Sequence, residues 1–344
     1  MNRPFFELSE GKVMEQYSIV ENLCDEISYS SKTNPQITPI LERNTDCMFS
    51  VHNMNELRHI EDKTRILYLA QGWDDKEISY LMEQGIFRFA VDNKHDLDRL
   101  LAHIEKGDRL IDLFLRVKMK ENSVRTERHF VFGFDSGFVN ESIMSLKGNV
   151  KIRSLGLHFH KKTQNISEWS LLSEVKEMFD DQVFNSIDHL NIGGGLPSVY
   201  ANTNTKVFNH IYQKITELKA WLNEKKIKLM IEPGRFISAP SAKLITHIKM
   251  IHDNNIIVDA SVYNSDMDAI LVPIKLIVEG EKEKGSAKPY VVKGMTPCSM
   301  DIFRYRVYLE SPQVGDELVF LNAGAYNFAS DFCDLDKPET RVVD

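Results

Sequence analysis

The sequence predicts an α/β protein in which a (β/α)8 barrel is followed by a C-terminal all-β domain. From residue 10 to about residue 235, eight apolar, strand-like runs alternate with helical patterns. This alternation is typical of the barrel, whereas the rival fold, a doubly wound open sheet, seldom needs eight strands. After Pro240 the pattern changes to short β-rich runs that are separated by turn signals.

The predicted elements of the barrel follow one another closely. The strand-like runs are 26–31, 45–51, 65–70, 86–91, 111–118, 152–159, 187–193 and 227–232, and the helical stretches include 75–84, 94–105, 168–179 and 206–224. The last helix is the clearest, because Phe208, Ile211 and Ile215 begin an apolar stripe at helical spacing. The stretch 120–149 is too long for a plain connection, so we expect it to hold a loop and a helix.

The predicted domain boundary falls where the pattern changes. Residues 10–238 form the barrel, and residues 239–344 form the β domain, to which residues 1–9 can add a strand. The β-rich runs of this domain are 242–250, 256–260, 269–278, 288–292, 304–308 and 317–321.

The composition is that of an ordinary soluble protein, with 42% hydrophobic and 27% charged residues. The formal net charge of −8 argues against nucleic acid or an anionic membrane as the main partner. No apolar run approaches the roughly 20 residues that span a bilayer, and the first residues lack the apolar core of a signal peptide. We therefore expect a cytoplasmic protein. The four cysteines are scattered, so neither a disulfide framework nor a metal site is predicted.

Lys32 ends the first predicted strand. A lysine alone is most often an exposed surface residue. Burial at a strand end, however, disfavours the ammonium and lowers the pKa of a lysine, which suits an amine nucleophile. In a (β/α)8 barrel the chemistry takes place where the C-terminal ends of the strands meet the following loops.

Other polar residues end the later strands at the same rim. Gly193, Gly194 and Gly195 could be a plain turn, but three backbone N–H groups without side chains can also cradle a phosphate. Arg235 suits a phosphate, and Glu232 at the end of a buried strand needs a cationic partner. A lysine amine, a phosphate site and a carboxylate for a ring nitrogen are the requirements of pyridoxal phosphate (PLP).

Seven ordered segments carry a resemblance to a known family. They are residues 29–34 (Tyr-Ser-Ser-Lys-Thr-Asn), 49–57, 157–163, 190–196 (Leu-Asn-Ile-Gly-Gly-Gly-Leu), 232–236 (Glu-Pro-Gly-Arg-Phe), 294–301 and 324–326 (Gly-Ala-Tyr). The sequence resembles the barrel-type PLP-dependent decarboxylases of fold type III, similar to alanine racemase. This family includes the ornithine, diaminopimelate and carboxynorspermidine decarboxylases.

The resemblance implies a role for each residue of the site. Lys32 would form the Schiff base, Glu232 would pair with the pyridinium nitrogen, and His160 would stack on the ring. The implied cofactor-binding residues are Lys32, Arg116, His160, Thr163, Gly193, Gly194, Gly195, Glu232, Gly234, Arg235 and Tyr326. The resemblance also implies a head-to-tail homodimer, in which loop 294–301 of one subunit completes the other's site. A carboxylate at the pyridine nitrogen goes with decarboxylation through a quinonoid carbanion, whereas an arginine there goes with racemisation.

The departures from the family pattern concern the proton donor and the substrate. Pro297 falls where the family has its proton-donating cysteine, so the donor is Cys298 after a local shift, or His160, or Lys32. The acids that would hold the distal amine of a diamino acid are missing, since Cys298 stands at the position of one and none lies within 270–273. Ser50 replaces an aspartate, and the lysines at 161 and 162 replace small residues.

These departures predict a decarboxylase of an α-amino acid other than ornithine or lysine, or of an aminocarboxyl group on a larger metabolite. The lysines at 161 and 162 favour an anionic or phosphate-bearing substrate. Tailoring enzymes of siderophore pathways, or of nucleotide-peptide antibiotics of the microcin type, are of this kind. Three alternatives stay open. They are a polyamine- or lysine-pathway decarboxylase acting on a free diamino acid, an amino-acid racemase, and a PLP-binding protein without catalysis.

Overall fold

The computed structural model describes residues 3–119, 132–328 and 330–344. The chain divides into two compact units. We call Ser18–Pro197 with Lys206–Gly234 the barrel unit, and Met1–Tyr17 with Ser198–Thr205 and Arg235–Asp344 the β unit. The domain bounds predicted from the sequence stay a prediction. None of the helices in the described ranges combines the length and apolar character that crossing a bilayer requires.

The strands and helices of the described residues are as follows. The strands are β1 (Phe5–Ser9), β2 (Glu26–Ser30), β3 (Met48–Val51), β4 (Ile66–Leu69), β5 (Arg88–Val91), β6 (Ile111–Arg116), β7 (Ile152–His158), β8 (His189–Asn191), β9 (Lys228–Ile231), β10 (Ala242–His252), β11 (Asn255–Val258), β12 (Ile277–Val278), β13 (Lys288–Lys293), β14 (Ile302–Leu309), β15 (Glu317–Leu321) and β16 (Glu339–Val343). The helices are α1 (Glu10–Glu21), α2 (Thr38–Asn44), α3 (Asp75–Glu83), α4 (Lys94–Ile104), α5 (Ser136–Leu146), α6 (Leu171–Met178), α7 (Asp181–Phe184), α8 (Phe208–Glu224), α9 (Arg235–Ser241), α10 (Val262–Ser265) and α11 (Met267–Leu271).

Strands β2 to β9 form a closed parallel barrel in the part of the chain that the structure describes. Each strand pairs with the next, and β9 closes the barrel on β2, with Glu26 opposite Met230. The strands are short and almost entirely buried, as expected when helices cover the outside of a parallel sheet. The eight predicted strand runs are therefore confirmed, with ends that differ by a few residues.

The helices begin and end where local chemistry favours it. Asp74 caps α3 in a capping box with Glu77, and Asn93 caps α4 through the backbone N–H of Asp96. Helix α8 buries the apolar stripe that includes Ile211 and Ile215, which confirms the predicted helix.

One prediction in the long stretch 120–149 is tested in part. The expected helix is α5, which begins at Ser136. The predicted loop falls largely on residues 120–131, which lie outside the described residues.

The β unit is built on a mixed sheet in the order β12-β15-β10-β11-β13-β14. The first residues contribute β1, which runs antiparallel to β10 and parallel to β16. Phe6, Leu244 and Phe320 belong to the core of this unit.

The run 269–278 was predicted as a strand, and this prediction was largely wrong. The chain there forms the end of α11, and only Ile277–Val278 is extended. Polar residues explain the difference, because Ser261 and Asn264 form a capping box that starts α10. Asp266 then ends α10 and starts α11. These local hydrogen bonds outweigh the strand preference of the apolar residues that follow.

Candidate functional site

Lys32 lies at the C-terminal end of the barrel, two residues after the last residue of the strand that it was expected to end. Strand β2 ends at Ser30, and Lys32 belongs to the short 3-10 helix Ser31–Thr33 that follows. Ser31 and Thr33 are buried on either side of it, whereas the Lys32 side chain reaches solvent at the mouth of the barrel. The barrel therefore fixes the backbone of Lys32 and leaves its amine accessible.

The surroundings of Lys32 favour a neutral amine. Protein atoms surround the amine, although part of the side chain's surface reaches water. This desolvation lowers the pKa of Lys32, and the Arg116 charge lowers it further. Glu56 and Glu232 oppose the shift through their negative charges. An amine with a lowered pKa is a better nucleophile at neutral pH.

Glu232 lies directly after β9 and is buried in the barrel unit. Its Oε1 accepts a hydrogen bond of 2.7 Å from the Asn191 amide and lies 3.5 Å from His158 Nε2. Burial alone would raise the pKa of Glu232, but His158 and Asn191 lower it to about 2. The carboxylate thus stays ionised at physiological pH and can accept a hydrogen bond from a protonated ring nitrogen.

The three glycines after β8 permit a close approach of backbone segments. Gly193 has a φ of +64°, and a Cβ there would lie 2.3 Å from the Phe159 carbonyl oxygen. A side chain at Gly194 would likewise lie 2.9 Å from the Glu232 carbonyl oxygen. Only glycine fits this turn, which brings His160 against the loop.

Two of the three glycine N–H groups already have partners within the barrel unit. Gly193 donates to Asn191 Oδ1 at 2.8 Å, and Gly194 donates to His160 Nδ1 at 3.1 Å. The expectation that all three N–H groups cradle a phosphate is therefore corrected. Among the described residues, the N–H of Gly195 has no such partner.

His160 is held as a neutral ring. Burial among protein atoms lowers the pKa of His160 to about 3, and the charges of Arg116 and Lys32 act in the same direction. Part of the ring surface nevertheless reaches solvent at the mouth. Since Nδ1 accepts from Gly194, the proton of the neutral ring is on Nε2. A neutral imidazole suits contact with a flat ring better than it suits proton donation.

The turn at Gly234 supplies a second tight approach. A Cβ at Gly234 would lie 2.2 Å from the Thr33 hydroxyl oxygen. That hydroxyl is buried, and it has no hydrogen-bond partner within the described residues. A buried hydroxyl without a partner is costly, so it suits a bound polar group. Together with Lys32 and Glu232, this arrangement fits the amine, carboxylate and phosphate requirements of PLP.

Two further residues predicted to bind the cofactor, Arg116 and Thr163, lie at or after the ends of barrel strands. Arg116 ends β6, with Nη1 4.0 Å from Asp92 Oδ2, and Thr163 lies in the loop after β7. Ser50, at the position of the expected aspartate, shares a buried hydrogen bond of 2.7 Å with Ser28.

The two lysines after His160 do not act as unpaired rim charges. Lys161 is buried and its Nζ lies 2.7 Å from Glu174 Oε2. Lys162 pairs with Glu168 at 3.2 Å. The inference that these lysines attract an anionic substrate is therefore corrected, because each ion pair offsets its charge.

Arg235 directly follows Gly234 in the chain and starts α9 of the β unit. Its guanidinium is buried and makes two contacts with the Asp268 carboxylate, one of them at 2.8 Å. It also donates to Tyr200 Oη at 2.8 Å and lies 5.1 Å from the centre of the Tyr326 ring. The side chain of Arg235 is thus engaged by Asp268, which argues against the predicted role as a bidentate phosphate ligand.

The loop 294–301 presents Cys298 in the β unit. Asp301 is buried and shapes the loop by accepting hydrogen bonds from Thr296 and from the backbone of Val262. Cys298 is exposed, and its sulfur lies 2.9 Å from Tyr263 Oη. The hydrogen bond from Tyr263 and a backbone N–H lower the pKa of Cys298.

Four residues of these clusters carried no assigned role in the sequence analysis: Asn191, Glu56, Asp268 and Tyr263. The Asn191 side chain forms hydrogen bonds with both Gly193 and Glu232. Its position at the end of an apolar run could have marked it as a residue of the site. Glu56 is buried, and its charge acts on Lys32. Asp268 and Tyr263 lie in a region predicted as strand or turn, so no periodic pattern marked them.

Comparisons with known proteins agree with this geometry. The family model described as "Pyridoxal-dependent decarboxylase, pyridoxal binding domain" matches residues 11–239. The chain is 24% identical over 306 residues to 2-[(L-alanin-3-ylcarbamoyl)methyl]-2-hydroxybutanedioate decarboxylase of Staphylococcus aureus, which covers 80% of this chain and 76% of that protein. It is 25% identical over 281 residues to diaminopimelate decarboxylase of Aquifex aeolicus, with 77% and 66% covered. A crystal structure of lysine/ornithine decarboxylase from Vibrio vulnificus, complexed with cadaverine, is similar with a TM-score of 0.81 and 21% identity. That match covers 99% of this chain and 94% of that chain, and it shows the fold.

Proposed function

The chain belongs to the pyridoxal-dependent decarboxylases, PLP-dependent enzymes, and from this premise we propose that it decarboxylates an aminocarboxyl group carried on a larger metabolite. PLP, when bound, supplies an electron sink for the electron pair that departing CO2 leaves behind. The observation that carries the substrate proposal concerns the aspartates near the positions expected to bind a distal amine, which are buried and are either paired with other groups or disfavoured as anions.

The acids for a distal amine were expected at the Cys298 position of loop 294–301 and within 270–273, and neither position holds one. The aspartates near these positions are Asp266, Asp268 and Asp301. Asp268 pairs with Arg235, and Asp301 accepts hydrogen bonds from the backbone N–H groups of Val262 and Thr296. Asp266 is fully buried, and burial raises its pKa well above the usual range. Neither carboxylate oxygen of Asp266 has a hydrogen-bond partner among the described residues, so its raised pKa, and not an ion pair, disfavours its charge. A distal ammonium would therefore meet no ionised and unpaired carboxylate among these residues, and an unpaired cation in a closed site is costly.

The named relatives point to two substrate classes. The Staphylococcus aureus relative is named for an L-alanin-3-yl group joined by a carbamoyl link to a hydroxybutanedioate. By analogy we propose a similar substrate class here, in natural-product tailoring, and its anionic part rests on that name rather than on Lys161 and Lys162. The Aquifex aeolicus relative favours the second candidate, a free diamino acid.

The residues of the barrel unit would hold and tune the cofactor. Lys32 would bind its carbonyl through the amine, and the ionised Glu232, oriented by Asn191, would keep the ring nitrogen protonated. The neutral His160 would contact the ring. The N–H groups of Gly195 and Gly234, with Thr33, Arg116 and Thr163, would contribute further contacts to the cofactor.

Cys298 is the proposed proton donor to the α-carbon. Its Sγ–H is accessible, and Tyr263 can stabilise the thiolate that proton transfer leaves. His160 is a weaker candidate, because a ring with a pKa of about 3 carries no extra proton at neutral pH. We also propose a homodimer in which loop 294–301 serves the partner's site, supported by the exposed Met295 and Met300.

The experiment measures CO2 release by the PLP-loaded enzyme from two sets of substrates. One set is L-ornithine, L-lysine and meso-diaminopimelate, and the other is L-2,3-diaminopropionate acylated on its side-chain nitrogen by a dicarboxylic acid. We expect release from the acylated set and none with Lys32→Ala, whereas the surface variant Lys106→Ala keeps full activity. Efficient turnover of the free diamino acids would overturn the substrate class. A protein that binds PLP but releases no CO2 from any α-amino acid would overturn decarboxylation.

A further inference from the structure

A cavity of about 450 Å³ lies at the N-terminal end of the barrel, away from Lys32. It is lined by first or early residues of the barrel strands, among them Glu26 of β2, Arg88 of β5 and His189 of β8. Its volume is within the usual range of small-molecule sites. The catalytic end of a barrel is the opposite one, so the reaction proposed above does not use this cavity.

The carboxylates of the cavity wall are shared between cations. The buried Asp112 accepts Arg153 Nε at 2.8 Å and Nη2 at 2.6 Å, and Arg88 Nε lies 3.0 Å away. One carboxylate therefore serves two guanidinium groups. Arg153 uses only one edge in this pair, which leaves Nη1 as a further donor on the same planar group.

The second carboxylate is shared in the same way. Glu26 accepts Lys228 Nζ at 2.9 Å, and His189 Nδ1 lies 3.1 Å from its other oxygen. Burial would raise the pKa of Glu26, but His189 and Lys228 lower it to about 2. Glu26 is thus a fixed anion whose charge is offset by its two neighbours.

The wall has more cations than carboxylates. Its basic side chains are Arg88, Arg153, Lys226 and Lys228, and its acidic side chains are Glu26, Asp112 and Asp188. Asp188 accepts the backbone N–H of Leu155 at 3.0 Å. Because every carboxylate of the wall already has a partner and basic side chains outnumber acidic ones, the wall favours binding of a negatively charged group.

The floor of the cavity is apolar and well defined. Met48, Phe114 and Met230 line it, and the Phe114 ring packs 5.7 Å from the His189 ring. A Cβ on Gly156 would lie 2.5 Å from the Phe114 ring, so the ring can occupy this position only because residue 156 has no side chain. A flat apolar body can lie on this floor while a charged group reaches the wall.

The hydroxyl group of Ser154 is a polar atom of the wall that could bind a ligand. The Ser154 hydroxyl is buried beside Asp112 in the barrel register, and no hydrogen bond to it is made by the described residues. A hydroxyl buried in this way costs free energy unless something pairs with it. It can donate to an oxygen of a bound molecule.

We propose that this cavity binds a small organic anion, with a carboxylate or phosphate against Arg88, Arg153 and Ser154 and an apolar body over Phe114. The charged wall fixes the negative group, and the floor selects the flat apolar part. The site is separate from the proposed decarboxylation centre and goes beyond it.

The test uses the PLP-loaded enzyme and three probes that share one ring: phenyl phosphate, benzoate and neutral benzyl alcohol. Binding is measured by isothermal titration calorimetry. We expect benzyl alcohol to bind at least about tenfold more weakly than the better anion. The stronger of the two anions identifies the group, phosphate or carboxylate, that the wall prefers.

Two variants locate the binding, and one serves as a matched control. Arg153→Gln removes a guanidinium, and Ser154→Val removes the hydroxyl while keeping a good strand residue. Each should weaken the anion about tenfold or more. Lys151→Gln removes a half-buried cation just before the same strand, whose Nζ donates to the Gly107 carbonyl, and should leave affinity unchanged.

Two outcomes would overturn the proposal. One is the absence of binding by either anion at millimolar concentration, which is expected if the ion pairs of the wall only stabilise the N-terminal end of the barrel. The other is equal weakening, or none, in Arg153→Gln and Lys151→Gln. Retained PLP absorbance in every variant keeps these outcomes distinct from failure at the decarboxylation centre.

Discussion

The hydroxyl oxygen of Tyr263 lies 2.9 Å from the sulfur of Cys298. Tyr263 is buried, whereas Cys298 is exposed on a loop that Asp301 stabilises through hydrogen bonds with Thr296. The hydrogen bond lowers the pKa of Cys298, and the same contact raises the pKa of Tyr263 to about 12. The tyrosine thus stabilises the thiolate form of its neighbour.

Tyr263→Phe is expected to raise the pKa of the Cys298 thiol. The thiolate then loses its hydrogen-bond donor, so alkylation by iodoacetamide should become fast only at higher pH. The rate is measured against pH in a Cys333→Ser background, because Cys333 is the other exposed cysteine. Cys24 and Cys47 are buried with raised pKa values and should react slowly. An unchanged alkylation profile in Tyr263→Phe would contradict the stabilising role.

Cofactor loading is expected to depend on pH through Lys32. Only the neutral amine attacks a carbonyl, and the lowered pKa of Lys32 places the midpoint of loading below the ordinary lysine value of about 10.4. Glu56→Gln removes a charge that raises the pKa of Lys32, so its midpoint should move to still lower pH. Loading is followed by absorbance after PLP is mixed with the apoprotein.

Glu83→Gln is the matched control for this experiment, since Glu83 is exposed on α3. It should load with the wild-type midpoint. A midpoint that moves to higher pH in Glu56→Gln would show that the assigned sign is wrong.

Gly193→Ala is expected to weaken both folding and cofactor binding. The φ of +64° costs a residue with a side chain on the order of 1–3 kcal/mol, and the new Cβ would lie 2.3 Å from a backbone oxygen. Urea unfolding and PLP affinity are the two measurements. Gly137→Ala lies in α5 with no atom within 4 Å of the added Cβ, and it should change stability little or raise it. Equal stability of the two variants would contradict the strain at Gly193.

Asp268→Ala is expected to destabilise the protein by roughly 3–5 kcal/mol, because it leaves the buried Arg235 guanidinium without its carboxylate. Urea unfolding followed by circular dichroism measures the loss. Glu279→Ala removes an exposed partner of Lys243 and should cost less than about 1 kcal/mol. A similar small loss in both variants would mean that Arg235 finds another partner.

The sequence predicted the barrel and the main polar residues of its C-terminal end because both follow from short-range patterns. Each apolar run marks a strand, and the residue that ends the run marks the rim, as for Glu232 and the glycines from Gly193. The strand was predicted to reach Lys32 but ends two residues earlier at Ser30, since the 3-10 helix after β2 has no periodic signature. Strand ends are therefore the least determined part of an otherwise predictable barrel.

Long-range polar pairs could not be predicted in this way. Lys161 looks solvent-exposed in sequence, but Glu174 on α6, 13 residues later, receives it inside the protein. Arg235 and Asp268 are 33 residues apart, and only the fold of the β unit brings them together. Opposite charges can pair at any separation along the sequence. The periodicity of the sequence therefore does not indicate which residues form an ion pair.

Strand β1 has its neighbours far away along the chain. Phe5 pairs with Ile245 on β10 and with Glu339 on β16. During synthesis the first strand must therefore wait until all eight barrel strands, the last ending at Ile231, have been made. Strand pairing across such long sequence separations is slow, because closing a long loop costs conformational entropy before any stabilising contact forms. For this strand, the order of synthesis and the order of folding run in opposite directions.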